Sequence, residues 1–163
     1  MIMKAFLLLL SMLSYLILSA QDKEEKQSID FIISVDGEIV KAISRSRIVS
    51  IGSNIDVKSI PVFYYPGDLS VYKIDMDYIM SLSDSVKLQL EFDYYSYTTK
   101  GDQNVLNYKI EIDKSWLKQS YLILYLYNTD KKRYREKLEP IPGSKYTFEL
   151  DYPGGQMLRL RKK

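Results

Sequence analysis

The sequence predicts an all-β fold, an antiparallel β-sandwich of immunoglobulin-like or related type with at most one or two short helical turns. Apolar and polar residues alternate with a period of two over several segments, which is typical of half-buried strands. Turns containing glycine or proline separate these segments at short intervals, as in sandwiches. The chain has 163 residues, 46% of them hydrophobic and 27% charged, so it is long and apolar enough to form one domain with its own core.

The N-terminal half of this domain is predicted to be a series of short strands with one tight hairpin. Asp36-Gly37 separates the first two segments and favours a two-residue hairpin, because both central positions of such a turn have positive φ. Pro66-Gly67-Asp68 marks a further turn. The predicted strands comprise residues 29–35, 38–43, 47–51, 56–65 and 69–75.

The C-terminal half begins with the clearest alternation in the chain, in which large apolar residues occupy every second position of segment 86–97. Residues 121–127 (YLILYLY) are apolar on both faces, which indicates a central strand covered on both sides. Short helical turns are predicted within 77–82 and 114–119. The predicted strands comprise residues 86–97, 106–112, 121–127, 132–138, 145–152 and 156–161.

The first twenty residues have the three-part pattern of a secretory signal peptide. Lys4 precedes a fourteen-residue apolar run, and Ser19-Ala20 supplies the small residues before a cleavage site. The run is shorter than the roughly twenty residues that span a bilayer, which disfavours the alternative of a membrane anchor. We expect cleavage after Ala20 and an exported protein, periplasmic or extracellular, with no stable membrane span after cleavage. The predicted organisation is a signal peptide at 1–20, a charged flexible spacer at 21–28 and a single β-sandwich domain at 29–163.

The chain contains no cysteine and no histidine. This composition excludes disulfides, zinc sites built from these residues, and Cys–His or Ser–His catalysis, and we expect no cofactor and no metal. Positive and negative side chains nearly balance, with a net charge of +2, so we expect no nucleic-acid partner. An exported domain without disulfides depends on its core and its hydrogen bonds for stability, which suits a Gram-negative envelope.

No catalytic motif is present, and we expect that the protein is not an enzyme. The chain lacks a nucleophile elbow as well as a histidine that would activate a serine. One alternative is an Asp/Glu-dependent hydrolase with paired carboxylates. The acids available for it are Asp75, Asp77, Asp93, Glu111 and Asp113. Most of them lie on the outward phase of alternating strands, where a solvated charge is the ordinary role.

Tyrosine is the outlier of the composition, with 15 residues in the chain. Its side chain is rigid and amphipathic, so it serves both in a sandwich core and in contacts with proteins or sugars. The alternation assigns Tyr94, Tyr108, Tyr146 and Tyr152 to the core. The candidate ligand-binding or partner-binding residues are Tyr95, Tyr97, Trp116, Tyr125 and Tyr127. If the four tyrosines of this set share one exposed face, they form a platform; the alternative is the ordinary β-propensity of tyrosine.

Positive charge is concentrated near the C-terminus. Residues 114–163 carry a net charge of +7, whereas residues 74–113 carry −5. The candidate basic patch consists of Lys131, Lys132, Arg133, Arg135, Arg159 and Arg161. In a closing meander these residues are neighbours, and such a patch suits anionic envelope polymers, lipid headgroups or an acidic partner. The alternative is a solvated hairpin edge and tail, because lysine on edge strands blocks unwanted pairing.

The segment Ser19-Ala20-Gln21, the absence of cysteine and the segment Tyr146–Gly155 (YTFELDYPGG) resemble short exported, cysteine-free all-β proteins of Gram-negative envelopes. The resemblance implies a small all-β envelope protein and assigns no functional residue. We therefore expect a non-enzymatic binding or accessory module of the cell envelope that contacts a partner protein through a sheet face or loops. The alternative is a carbohydrate-binding module that uses exposed tyrosines.

Overall fold

The computed structural model describes residues 25–52, 58–97 and 101–158, which form two β-sheets packed face to face around one core. The predicted all-β sandwich is confirmed. Its immunoglobulin-like type stays a prediction. The predicted signal peptide, the first half of the predicted spacer (21–24), residues 56–57 of a predicted strand, Arg159 and Arg161 lie outside the described residues.

The described residues contain eleven strands, two α-helices and one 3-10 turn at Trp116–Lys118. In chain order the strands and α-helices are β1 (Lys26–Val35), β2 (Glu38–Ile39), β3 (Ser44–Ile51), β4 (Ser59–Pro61), β5 (Phe63–Tyr65), β6 (Asp68–Tyr72), α1 (Lys73–Ser81), β7 (Lys87–Tyr97), β8 (Gln103–Ile112), β9 (Tyr121–Asn128), α2 (Lys132–Arg135), β10 (Tyr146–Tyr152) and β11 (Gly155–Leu158).

The larger sheet has the strand order β11–β10–β9–β1–β6–β5, and β2 pairs with β1 in the Asp36-Gly37 hairpin. Its neighbouring strands are antiparallel except β1 and β9, which run parallel from Asp30 opposite Tyr121 to Val35 opposite Leu126. This pair is the one departure from the predicted antiparallel arrangement. It is accommodated because the whole smaller sheet separates the two strands in the chain, and a parallel pair needs a long connection.

The smaller sheet has the order β4–β3–β7–β8, so β4 and β8 are its edges. Strands β7 and β8 pair over ten positions without a register shift, from Leu88 opposite Ile112 to Tyr97 opposite Gln103. The segment predicted as one strand at 56–65 is divided between the two sheets. Strand β4 ends at Pro61 in the smaller sheet and β5 begins at Phe63 in the larger one, so the chain crosses the sandwich here.

The inward residues of both sheets form one apolar core. Leu122, Leu124 and Leu126 occupy every second position of β9 and are buried. Leu90 and Phe92 of β7 belong to the same cluster from the other sheet. Burial of one such side chain stabilises the fold by about 1.5–3 kcal/mol, so the period-two pattern read from the sequence is also the main source of stability.

The first strand begins earlier than predicted. Lys26 pairs with Tyr72, and Ser28 pairs with Ser70, across β1 and β6. Residues 26–28 therefore belong to the sandwich and not to the predicted spacer, because backbone pairing with β6 begins before Ile29, the first buried residue of β1.

Helix α1 replaces the end of a predicted strand and includes the predicted helical turn. The strand predicted at 69–75 ends at Tyr72, and the helix follows directly. Met76 and Ile79, three residues apart, lie on one helix face and are buried. No helix in the described ranges has both the length and the apolar character needed to cross a membrane.

Helix α2 corrects a second prediction, since residues 132–138 were expected to form a strand. The backbone of this segment hydrogen-bonds locally, from Glu136 to Lys132 and from Leu138 to Tyr134. Residues 132–137 therefore form a helix and a turn, and Leu138 makes an isolated β-bridge. The 3-10 turn at Trp116–Lys118 agrees with the helical turn predicted at 114–119.

Candidate functional site

The hairpin of β7 and β8 extends beyond the rest of the smaller sheet. Strand β3 pairs with β7 as far as Asp93, whereas β7 and β8 stay paired up to Tyr97 and Gln103. Residues 94–97 and 103–106 therefore form a two-stranded extension, which we call the β7–β8 ribbon.

The outer face of the β7–β8 ribbon carries three exposed apolar side chains. Tyr95 and Val105 are directly opposite each other, with exposed fractions of 38% and 43%. Tyr97, two residues further along the same face, is 71% exposed. Directly opposed aromatic and β-branched side chains contact each other across a strand pair, so these residues form one patch. An exposed apolar patch of this kind is typical of a contact surface.

The inner face of the ribbon is anchored to the sandwich. Tyr94 and Leu106 are opposite each other, half-buried and packed against the core. Burial raises the pKa of Tyr94, and the negative charges of Glu38 and Asp36 raise it further, so its hydroxyl stays protonated. The ribbon therefore presents one face to solvent while the other is held in place.

A buried carboxylate, Glu91, lies on the same outer face at the base of the ribbon and is 9% exposed. Arg47 donates two hydrogen bonds to its Oε2 atom, from Nε at 2.9 Å and from Nη2 at 2.6 Å. The Lys109 Nζ atom lies 3.1 Å from the other carboxylate oxygen. Burial opposes the ionisation of Glu91, but the hydrogen bonds and charges of Arg47 and Lys109 outweigh it and hold the pKa of Glu91 below its usual value.

A second buried acid, Asp93, follows two residues later and is 6% exposed. Arg45 and Asn107 each donate a hydrogen bond to its carboxylate. Arg45 lies in a bulge, where the register of β3 against β7 shifts between Ser44 and Arg47, and its φ of 49° is in the left-handed region. A bulge re-aims a side chain, and here the arginine covers Asp93.

A groove of about 370 Å³ runs beside the free edge of β8. It is lined by Val105–Lys109 of β8 and, from outside this strand, by Asn128, Asp130 and Gly143–Tyr146. The Tyr146 hydroxyl closes one end of it, because it accepts a hydrogen bond from the Lys109 N–H at 2.7 Å and donates one to the Lys109 C=O at 2.9 Å.

The structure divides the predicted tyrosine platform between two faces. Tyr125 and Tyr127 alternate with the buried leucines of β9, so they lie on the outer face of the larger sheet. Tyr95 and Tyr97 lie on the outer face of the smaller sheet. These are opposite sides of the sandwich, so the four side chains do not form one surface.

Tyr127 is engaged within the fold. Its hydroxyl donates a hydrogen bond to Glu149 Oε2 at 2.8 Å, and its ring centroid lies 4.9 Å from that of Tyr134 in α2. Burial, followed by the hydrogen bond and the charge of Glu149, raises its pKa. Tyr125, two residues earlier on the same face, is half-buried.

Trp116 lines a second groove, of about 570 Å³, between β8 and the closing strands. Its apolar lining includes Ile141, Phe148 and Met157, and Glu111 is among the polar residues that border it. Trp116 itself is half-buried and packs against the core. The predicted binding residue Trp116 therefore lies in this second groove and not on the β7–β8 ribbon.

The basic segment around α2 is partly neutralised by the hairpin of β1 and β2. The Lys131 Nζ atom lies 2.8 Å from Asp36 Oδ2, and Arg133 donates a hydrogen bond to the Asp36 C=O at 3.2 Å. Lys132 lies 3.8 Å from Glu136. Arg135 is exposed at the end of the helix. Within the described part of the candidate basic patch, Lys131 and Arg133 are thus tied to Asp36, and Lys132 lies near Glu136.

Most acids of the hydrolase alternative are engaged by neighbours. Besides Asp93, Asp75 lies 3.0 Å from Lys58 Nζ, and Glu111 lies 3.1 Å from Lys87 Nζ. Hydrogen bonds from the Ser115 hydroxyl and backbone N–H lower the pKa of Asp113. Among the described residues, no three carboxylates come together in a cluster that could hold a metal ion.

Sequence reasoning missed Val105 and the ion pairs at the base of the ribbon. Val105 lies on the outward phase of β8, directly before the first inward residue, Leu106. A valine at an outward position is the signal that could have identified it. The pairing of Arg47 with Glu91 depends on the register of two strands 44 positions apart, which has no local signal in the sequence.

Comparison of the chain with protein-family models, with curated proteins and with solved structures gave no match.

Proposed function

We propose that the protein is an exported, non-enzymatic binding module of the cell envelope that contacts a partner protein through the outer face of the β7–β8 ribbon. The observation that carries this proposal is the exposed patch of Tyr95, Tyr97 and Val105 on a ribbon whose inner face is anchored to the core. The signal-peptide pattern of the first twenty residues supports export to the periplasm or the cell surface.

The chemistry of the patch favours a protein over a charged polymer as its partner. Tyrosine contributes a large, rigid contact area at a low entropic cost, and it is enriched in the centres of protein interfaces. Gln103 and Asn104 beside the patch are exposed and uncharged, and the acids at its base are covered by arginine and lysine. The expected partner surface is an apolar pocket with a polar rim.

Photo-crosslinking in cells tests this proposal. A photoreactive residue is placed at position 97 of the tagged full chain, and a matched control carries it at position 121, which is a 39%-exposed tyrosine on the opposite outer face. We expect one dominant envelope protein to crosslink at position 97 and not at position 121. Tyr95→Ser should abolish that crosslink. Equal crosslinking at both positions, or none at position 97, would contradict the proposal.

A second candidate function is glycan binding in the groove lined by Trp116. The observation that favours it is an aromatic floor bordered by Gln89 and Glu111, because sugar rings stack on aromatic faces while their hydroxyls bond to polar groups. Trp116 is the one tryptophan of the chain, so its fluorescence reports on this groove alone. Titration with envelope oligosaccharides should quench the fluorescence in a saturable manner, and Glu111→Ala should weaken the binding. An unchanged spectrum with every glycan would remove this candidate.

A further inference from the structure

Among the residues that the structure describes, no strand pairs with the free edge of β8 in its first half. The Lys109 N–H and C=O face away from β7, because both bond to the Tyr146 hydroxyl. In an extended strand the backbone groups of every second residue face the same way. The N–H and C=O groups of Gln103, Val105 and Asn107 therefore also point away from β7, and Val105 and Asn107 both line the groove beside β8.

The first half of this edge lacks the charge, the proline and the short length that protect the other sheet edges. Unwanted strand pairing is commonly blocked by short edge strands, charged side chains, proline or bulges. Strand β4 has three residues and contains Pro61, β5 has three residues and is followed by Pro66, and β11 has four residues. In contrast, the segment Gln103–Tyr108 (QNVLNY) of β8 has no charge, no proline and no register shift against β7.

We propose that two copies of the chain associate through antiparallel pairing of their β8 edges along this segment. With Val105 on the two-fold axis, Val105 lies opposite its own copy and Gln103 lies opposite Asn107. The facing pairs formed by residues 103–107 in this register are all uncharged, and Tyr108 faces Asp102, so no like charges meet. About six backbone hydrogen bonds form, two for each of the three facing pairs made by Gln103, Val105 and Asn107, because only alternate pairs of an antiparallel ladder are hydrogen-bonded.

The same register extends the apolar patch across the axis. Tyr95 is the neighbour of Val105 within each copy, so a row forms in the order Tyr95, Val105, Val105 and Tyr95 along one outer face. The row covers the exposed sides of both valines. Tyr97 stays outside it in each copy, so the pair presents two partner-binding patches instead of one.

Tyr146 sets the limit of the pairing. Its hydroxyl occupies the backbone groups of Lys109, so an incoming strand pairs with residues before Lys109 and no further. The charged half of β8 is thereby excluded from the contact. This inference depends on the backbone edge and is independent of the partner proposed for the ribbon face.

Val105→Pro is the informative variant, because proline removes an N–H that faces the free edge and leaves the pairing with β7 intact. Sedimentation equilibrium of the purified protein, expressed from the full chain, should give twice the chain mass for the wild type and the single-chain mass for Val105→Pro. If the proline variant fails to fold, Val105→Lys is used in its place, since it keeps the N–H and sets two positive charges opposite each other. Thermal unfolding verifies that each variant is folded, and Val105→Thr is the matched control that should remain a dimer.

Hydrogen–deuterium exchange then locates the contact. The amides of Val105 and Asn107 should exchange more slowly as the protein concentration rises. A wild-type monomer at all concentrations, a folded Val105→Pro dimer, or a dimer without this protection would each overturn the inference. A monomer that still crosslinks a partner protein at position 97 would overturn the dimer and support the proposed function. A dimer without such a crosslink would support the dimer and contradict the proposed function.

Discussion

The Tyr146 hydroxyl takes the place of a neighbouring strand for Lys109. It accepts a hydrogen bond from the Lys109 N–H at 2.7 Å and donates one to the Lys109 C=O at 2.9 Å, as a paired backbone would. Tyr146 belongs to the larger sheet and Lys109 to the edge of the smaller one. One side chain therefore links the two layers of the sandwich and pairs part of an open edge.

Tyr146→Phe should lower the free energy of unfolding by about 1 kcal/mol, because it removes two hydrogen bonds whose backbone partners can then bond to water. The ring itself is kept, so its contact with Tyr108, at a centroid distance of 4.8 Å, remains. Chemical denaturation measures the change, and amide exchange at Lys109 should become faster. Tyr121→Phe is the matched control and should change neither quantity. Unaltered exchange at Lys109 would show that the hydroxyl does not pair this edge.

Glu91→Gln should destabilise the fold at neutral pH by about 1–2 kcal/mol, since it weakens charge-assisted hydrogen bonds to a buried group. The pKa of Glu91 in the folded state lies below its unfolded value, so the ionised side chain stabilises the fold above that unfolded value. This contribution is lost as the pH falls through the lowered folded pKa. The difference between variant and wild type should therefore shrink below about pH 4.

Denaturation curves between about pH 3 and pH 8 test the pH dependence of Glu91. The control is Glu111→Gln in the same sheet, whose ion pair with Lys87 is exposed on both sides and should contribute less than about 0.5 kcal/mol. If the stability difference between Glu91→Gln and the wild type stayed constant down to the acid end of this range, the lowered pKa of Glu91 in the folded state would be contradicted.

The strand pattern of this chain could be predicted because period-two burial is a local property. Leu88, Leu90 and Phe92 are predicted on one face, and all three are buried. The strand predicted over the α2 segment is wrong because the segment is mostly polar. Without an apolar stripe, its sequence fits the period of a strand and the period of a helix equally well. The parallel pairing of β1 with β9 depends on two segments about 90 positions apart, and nothing in either segment specifies its direction.

The candidate site could be predicted only in part, for the same reason. The exposure of Tyr95 and Tyr97 follows from their outward phase in β7, and the structure has both exposed. Their separation from Tyr125 could not be predicted, because phase within a strand does not say to which sheet the strand belongs. Strand β3 begins at Ser44, opposite Asp93, and so leaves the ribbon without a third strand. This boundary is likewise a property of the assembled sheet.

Replacement of Tyr95 and Tyr97 together by serine should cost less than about 1 kcal/mol of stability, because both side chains are exposed, Tyr97 at 71% and Tyr95 at 38%, and lose mainly one cross-strand contact. Thermal unfolding measures this cost. Tyr108→Ser is the comparison within the same hairpin, and it should cost several times more, because Tyr108 is fully buried. A large loss of Tm in the double variant would mean that the two tyrosines stabilise the fold, which would weaken their assignment to a binding surface.

Asp36 links the first hairpin to the start of the basic segment. Its φ of 56° is in the left-handed region, as the hairpin requires. One carboxylate oxygen accepts a hydrogen bond from the Asn128 N–H at 2.9 Å, and the other lies 2.8 Å from Lys131 Nζ. The residue thus combines a left-handed backbone conformation, a partly buried hydrogen bond and an ion pair.

Three substitutions separate these contributions of Asp36. Asp36→Ala should lower the free energy of unfolding by about 2–3 kcal/mol, because alanine is strained at positive φ and removes the bond to Asn128. Asparagine also tolerates positive φ and has a side-chain oxygen that can accept the bond from Asn128. Asp36→Asn should therefore lower the free energy of unfolding by about 1 kcal/mol or less. Lys131→Ala should cost less than about 0.5 kcal/mol, since half of its side chain is in solvent. Chemical denaturation of the three variants gives the comparison. If Asp36→Asn were as damaging as Asp36→Ala, the charge would be the main contribution, and the basic segment would be held to the sandwich chiefly by electrostatics.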